Sequence, residues 1–226
     1  DDMKTGTYVI DFGTEFNSIL NGADGEEILN QEYQSAWNAF SYDNVDLYYL
    51  DINKVSMVME ARTEGATTTY YVKIGPGDYS SYLSSTFANK KEIEDADAYI
   101  KDIRNQVMSI LGPYNNAMKI KVVNEWMIDN LSYENIEGNN NKYNLYGAIV
   151  ETKVVCEGYA RMFKYIMDGL NIPCILVSGT ATNSEGETEL HAWNYVELNG
   201  QWYAVDVTWN DPVVIGCLLY TSDAAD

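Results

Sequence analysis

Apolar residues recur at three- and four-residue spacing in some stretches of this chain and alternate in others. That division sets the expected order of elements. Ile28, Leu29, Tyr33, Ala36, Trp37 and Phe40 share one helical stripe and predict a helix over residues 25–41. Leu47–Asp51, Val55–Arg62 and Thr67–Ile74 are rich in Val, Tyr, Met and Thr and predict strands, punctuated by Gly65 and Gly75-Pro76-Gly77. A second helix is expected over 90–111, ending at Gly112-Pro113. A third is expected over 116–131, with Ile120, Val123, Trp126 and Met127 on one stripe. Asn139-Asn140-Asn141 marks a loop. Residues 156–170 again read as a helix, with Ala160, Phe163, Met167 and Leu170 on one face. A strand over Cys174–Thr180, a polar acidic loop over 182–189, and strands over 190–198 and 201–208 complete the pattern.

The last two strands flank Asn199-Gly200. Asn-Gly between alternating strands is the strongest short-range hairpin signal, because a type I′ turn needs positive φ at both central residues. Such a turn opposes Leu198 to Gln201, Glu197 to Trp202, Val196 to Tyr203 and Trp193 to Asp206. His191, Trp193 and Tyr195 then share a sheet face with Ala204 and Asp206. Ala192, Val196, Leu198, Tyr203, Val205 and Val207 take the other face, which is apolar enough to be the core side. On this pairing His191 is a diagonal neighbour of Asp206, and such neighbours lie about 7–8 Å apart. A ring and a carboxylate can close that gap.

Cys156 follows Val154-Val155 and opens a helix, where unpaired backbone N–H groups and the helix dipole favour a thiolate. The same N–H groups can stabilise an oxyanion. His191 is the only histidine in the chain, so no second imidazole can take its place. A thiol, an imidazole and a carboxylate are the minimum for nucleophilic acyl transfer. Cys156 is therefore the candidate nucleophile, His191 the acid and base, and Asp206 the group that orients the ring.

The formal net charge of −20, from 34 acidic and 14 basic residues, repels phosphate backbones and excludes a nucleic-acid partner as the expectation. No run reaches the ~20 apolar residues of a membrane span, so no membrane insertion is expected. Three cysteines, Cys156, Cys174 and Cys217, do not make a disulfide framework. Cys174, after Pro173 and before Ile-Leu-Val, reads as core. One histidine and scattered cysteines argue against zinc. Glu185, Glu187 and Glu189 lack the spacing of a calcium loop and read as a solvated acidic loop. No metal and no organic cofactor are expected. The chain opens Asp1-Asp2-Met3-Lys4, with no leader-like stretch. Nineteen tyrosines among many Asn, Ser and Thr residues point to an extracellular or cell-surface location.

Three segments, in order and at fold-compatible spacing, resemble the transglutaminase-like superfamily, in the branch of papain-fold cysteine enzymes common in Gram-positive bacteria. They are Cys156-Glu157-Gly158-Tyr159-Ala160, His191-Ala192-Trp193-Asn194, and Gly200-Gln201-Trp202 with Val205-Asp206-Val207-Thr208-Trp209-Asn210-Asp211-Pro212. The resemblance covers roughly residues 116–212. It implies an α+β fold of the papain/transglutaminase-like type, with a nucleophile-bearing helix packed on an antiparallel sheet, plus an N-terminal α/β extension over 1–115. It also implies hydrolysis or exchange of amides in a peptide or protein substrate. Peptide-bond hydrolysis is the preferred expectation. Protein-glutamine gamma-glutamyl transfer is the alternative, and a non-catalytic surface binding module is the reading from another class. Trp193, Tyr146 and Trp209 are candidate substrate-binding residues, and Tyr143 and Tyr146 are candidate oxyanion donors by position. The family sheet continues past the Trp-Asn-Asp-Pro exit. Residues 213–226, including Cys217, match no such strand and read as a doubtful tail with a truncated end. Oligomeric state is left open.

Overall fold

The computed structural model describes residues 2–182 and 186–211. Glu185, Pro212 and the expected tail 213–226 with Cys217 therefore lie outside the described residues. The rest forms two compact units. One draws on the described residues of Asp1–Ser41 and Tyr49–Asp95, the other on those of Tyr42–Tyr48 and Ala96–Asp226.

In the first unit, β1 (Ile10–Gly13) and α1 (Asn17–Leu20) precede a long helix, α2 (Gly25–Asp43), close to the span its apolar stripe indicates, whose last two residues, Tyr42 and Asp43, belong to the second unit. β2 (Ser56–Glu64) and β3 (Thr67–Gly75) form an antiparallel hairpin, and the sheet order is β1-β3-β2. Gly65 takes φ +64° at the tip of that hairpin, where an L side chain is strained. Leu20, Leu29 and Val72 are the buried centre, with Phe12, Phe16, Met57, Met59 and Tyr70 packed around them. The strand expected over 47–51 does not form. Leu50 makes a single bridge to Leu83, and Asp51 instead caps a short 3₁₀ turn, Ile52–Lys54, by accepting from the Asn53 N–H. A capping aspartate competes with strand pairing at that position.

The helix α3 (Lys90–Ile110) leads to α4 (Asn116–Asn130), whose N-cap Asn115 accepts from the Met118 N–H at 2.9 Å. α4 buries Ile120, Val123 and Met127 at helical spacing. β4 (Ser132–Tyr133) runs parallel to β5 (Lys153–Val154). Between them lie a 3₁₀ turn, Asn140–Tyr143, and a π-helical turn, Gly147–Glu151. Glu151 accepts from the side chains of Asn139 at 2.7 Å and Asn141 at 2.6 Å, which ties the Asn-rich loop to the π turn. α5 (Cys156–Gly169) follows, and its buried face includes Tyr159, Ala160, Phe163, Ile166 and Met167. This helix packs on an antiparallel sheet of β6 (Cys174–Thr182), β7 (Thr188–Leu198) and β8 (Gln201–Val205), in the order β6-β7-β8. The second unit is thus the α+β arrangement the sequence indicated, with the helix that opens at Cys156 packed on an antiparallel sheet.

The hairpin between β7 and β8 forms in the expected register, with Leu198 opposite Gln201, Glu197 opposite Trp202 and Val196 opposite Tyr203. Asn199 at φ 54° and Gly200 at φ 81° make the turn. Pairing stops at Asn194–Val205, however, so Trp193 has no cross-strand partner in Asp206. Val207 and Thr208 are helical, in α6 (Val207–Asn210), and not the end of a strand. The cause is Asp206 itself, whose Oδ1 accepts the Trp209 N–H at 3.0 Å and starts the turn. Tyr203, expected on the core side, is exposed.

Candidate active site

Cys156 is the first residue of α5, and its place depends on the residues that hold that helix end. The Val155 N–H donates to the Lys142 carbonyl at 3.1 Å. Gly158 permits this close approach. A Cβ there would lie 2.5 Å from Val154 Cβ and 2.8 Å from the Lys142 oxygen. Lys142 is itself buried, its ammonium donating to Asn135 Oδ1 at 2.6 Å and to the Ile136 carbonyl at 2.9 Å. The N-cap Val155 supplies no side-chain acceptor to the first turn of α5. Donors at the start of that turn therefore remain for an anion.

His191 lies on β7, opposite Gly179 of β6, and is 5% exposed. Its Nε2 is 2.6 Å from Asp206 Oδ2. Cys156 lies close enough to the ring to raise its pKa. With Nε2 committed to the carboxylate, Nδ1 is the nitrogen left for sulfur. Asp206 uses its two oxygens separately, Oδ1 for the Trp209 N–H and Oδ2 for the imidazole. Burial pushes the His191 imidazole down. The hydrogen bonds and charges of Asp206 and Cys156 outweigh it and lift the ring to about 9.

Two tryptophans flank the imidazole. Trp209 stacks on it with ring centroids 4.7 Å apart and planes at 19°, and Trp193 with centroids 5.9 Å apart and planes at 18°. Gly179 makes room for Trp193, since a Cβ there would meet the indole Cη2 at 3.3 Å. Trp193 and Trp209 are thus beside the candidate catalytic ring. Tyr146 stacks on Tyr48, with centroids 5.9 Å apart. Tyr143 is exposed, with the Lys142 ammonium 5.1 Å from its ring centre. Cys174 is a core residue, as its sequence context indicates, and burial pushes its thiol up to about 12.

Several residues of this neighbourhood were not singled out by sequence. Tyr133 of β4 stacks on Tyr159 of α5, with centroids 6.5 Å apart. Burial raises its hydroxyl pKa, and the charges of Cys156, Glu189 and Tyr143 add to the rise. Tyr42 packs with Cys156 against Ala160, Leu176 and Ala192. Its hydroxyl donates to Ser178 at 2.8 Å, and the Arg161 guanidinium sits 5.6 Å from its ring centre. Arg161 in turn holds Glu157, next to the thiol, at 2.7 Å. Tyr42 lies 114 positions before Cys156 in the sequence, and no local pattern signals that contact. Among the described residues there is no group of three or more His, Cys, Asp or Glu side chains placed to hold a metal ion. No helix among them is long and apolar enough to cross a membrane.

Comparison with known proteins places this arrangement in context. The model of the transglutaminase-like superfamily matches residues 103–207. A kyphoscoliosis peptidase from Mus musculus is 25% identical over 157 residues, covering 62% of this chain and 23% of that protein. The chain therefore spans about a quarter of the length of the curated relative it matches. Among solved structures, a TGase is similar at TM-score 0.47 and 15% identity, covering 77% of this chain and 49% of that one. The structure of "a Putative Cysteine Protease from Cytophaga hutchinsonii" is similar at TM-score 0.40 and 14% identity, covering 68% of this chain and 62% of the other.

Proposed function

Residues 103–207 carry a transglutaminase-like core, and we propose that this core is a cofactor-independent cysteine enzyme that hydrolyses peptide bonds. The observation that carries the proposal is the lone imidazole held by Asp206 Oδ2 at 2.6 Å on Nε2, with Cys156 near enough to raise its pKa. The thiolate of Cys156 attacks the amide carbonyl carbon, and the carbonyl electrons move onto oxygen. Backbone N–H groups at the start of α5 stabilise that oxyanion. His191, as imidazolium, gives its proton to the departing amine nitrogen, the C–N bond breaks, and a thioester remains. Water then loses a proton to His191 and attacks the thioester, releasing the acid and the thiolate. Asp206 holds the ring and offsets its charge throughout.

Acyl transfer to a primary amine, as in protein-glutamine gamma-glutamyl exchange, uses the same steps with an amine in place of water. Hydrolysis is preferred because Trp209 is 45% exposed and Cys156 only partly buried, so water reaches the thioester. The proposal includes a peptide or protein substrate and, from the net charge of −20 and the tyrosine-rich surface, an extracellular or cell-surface setting. A cysteine-reactive acyl probe is expected to label the parent and not Cys156→Ala. Labelled peptides incubated with a primary amine are expected to yield free acid. Amine adducts as the main product would replace the hydrolase reading with the transferase one. Probe labelling that persists in Cys156→Ala would remove Cys156 as the nucleophile.

A further inference from the structure

The turn after Asp206 is fastened at two points, to α5, which carries Cys156, and to α4, which the catalytic reading does not otherwise use. Tyr159, one turn beyond Cys156 on α5, donates its hydroxyl to Asp211 Oδ2 at 2.6 Å. Both residues are buried, Tyr159 completely and Asp211 to 7% exposure. Asn210 Nδ2 donates to Asn124 Oδ1 of α4 at 3.1 Å. Between these ties and Asp206 lies only α6, whose Trp209 N–H donates to the Asp206 carboxylate.

We infer that the buried Tyr159–Asp211 hydrogen bond is a positioning clamp, which locks the turn carrying Asp206 to the helix carrying Cys156 and so sets the distance between acid, ring and sulfur. The inference rests on the proposed catalytic reading of Cys156, His191 and Asp206. Its physical basis is the stake of a buried carboxylate held by a neutral phenol donor. A buried carboxylate that loses its donor is strongly destabilised and seeks solvent or a new partner. Asp211 belongs to the turn that begins at Asp206, so a shift of its carboxylate is passed to that turn. Burial and the Asp211 carboxylate both raise the Tyr159 pKa, so the phenol stays protonated and donates across the working range. The groups facing the clamp are Tyr133, stacked on Tyr159, and Asp211 itself. Those facing His191 are Cys156, Asp206 and the rings of Trp193 and Trp209. Tyr159 is a positioning residue, since its hydroxyl bonds Asp211 and neither the thiol nor the imidazole.

The lone histidine supplies a readout that needs no substrate. The imidazole of His191 can be titrated by NMR without overlap, alongside the pH dependence of Cys156 alkylation by iodoacetamide. In Tyr159→Phe the histidine is expected to titrate at least one pH unit below the parent. Alkylation below pH 7 is expected to slow about tenfold, which corresponds to about 1.4 kcal/mol. Asp211→Asn keeps an acceptor for the phenol and is expected to stay near the parent, whereas Asp211→Ala is expected to follow Tyr159→Phe. A histidine titration and alkylation profile unchanged in Tyr159→Phe, with only thermal stability lowered, would reduce the pair to ordinary core packing. If the Phe variant does not fold, the Asn and Ala variants at 211 make the same comparison, and equal profiles for the two overturn the inference. Failure of the catalytic reading looks different: Cys156 in the parent would alkylate no faster than a free thiol, and His191→Ala would change nothing.

Discussion

His191 and Asp206 meet at 2.6 Å although neither is hydrogen-bonded to the other's backbone in the β7–β8 ladder, which ends one residue before the acid. The carboxylate reaches the ring from the cap of a short helix, where its second oxygen is pinned by the Trp209 N–H. Fixing one oxygen leaves the other a single direction. Replacing Asp206 by Asn keeps the cap acceptor but removes the charge that supports the imidazolium. Cys156 alkylation at pH 6 and any amidase activity are expected to fall by roughly 10²–10⁴-fold, and the alkaline limb of the profile is expected to move to lower pH. A pH–rate series on the Asn variant checks both.

Stability should depend on pH through the same pair. The folded-state pKa of His191, about 9, lies above its ordinary value of 6.5. The folded protein therefore holds the proton more tightly, and this contribution is fully present below about pH 6.5 and is lost as pH rises through 9. Its size is on the order of 3 kcal/mol, at about 1.4 kcal/mol per pH unit. Urea titrations of the parent and of His191→Gln are expected to differ most near pH 6 and to converge above pH 9. A constant gap across that window would contradict the raised pKa.

Trp209 lies 4.7 Å from the imidazole centre and nearly parallel to it. A protonated ring stacked on indole gains about 0.5–2 kcal/mol. Trp209→Ala is expected to lower the His191 pKa by up to about one unit, and Trp209→Phe by less. The imidazole NMR titration described above measures both. An unchanged titration in the Ala variant would show that the indole only covers the ring.

At Gly158 any side chain meets Val154 Cβ at 2.5 Å and the Lys142 carbonyl at 2.8 Å, both nearly immovable. Gly158→Ala is expected to cost about 1–3 kcal/mol, as overpacking does, and to displace the first turn of α5. The urea midpoint and the Cys156 alkylation rate are expected to fall together. A midpoint shift with unaltered alkylation would separate packing from thiol placement.

Thiol chemistry should be selective. Cys174 is buried, with its thiol raised to about 12, whereas Cys156 is only partly buried. In a Cys217→Ser background at pH 7, mass spectrometry of briefly alkylated protein is expected to find the label on the peptide containing Cys156. Comparable labelling of Cys174 would mean that the strand β6 opens readily.

How far the site was legible depended on the range of each contact. Asn199-Gly200 dictated a turn, the turn dictated the register, and the register put His191 within reach of Asp206. The reach was right but its route was not. The alternation puts Asp206 on a strand opposite Trp193, but the structure makes it a helix cap, its carboxylate accepting the Trp209 N–H where the ladder ends. Capping is itself a local signal, and Asp-Val-Thr-Trp offered it. Tyr42 and Asp211 had no such signal. Tyr42 packs from far upstream on the same buried cluster as Cys156, and Asp211 finds Tyr159 across 52 positions. Contacts of that separation depend on the packing of whole elements, which no window of the sequence contains. The strand expected over 47–51 failed for the opposite reason, since its β-forming composition was overridden by a single capping aspartate.

The two-residue turn at Asn199-Gly200 also constrains how this region can change over time. Exposed side chains along residues 192–205 can be exchanged one at a time, whereas Ala192, Asn194 and Val196 are buried and the number of residues is fixed. Adding or deleting one residue on either side of the turn reverses which way His191 faces relative to the acid. Lineages descending from this chain can therefore drift in composition at those exposed positions while remaining frozen in length, and an engineer seeking an insertion point should look elsewhere.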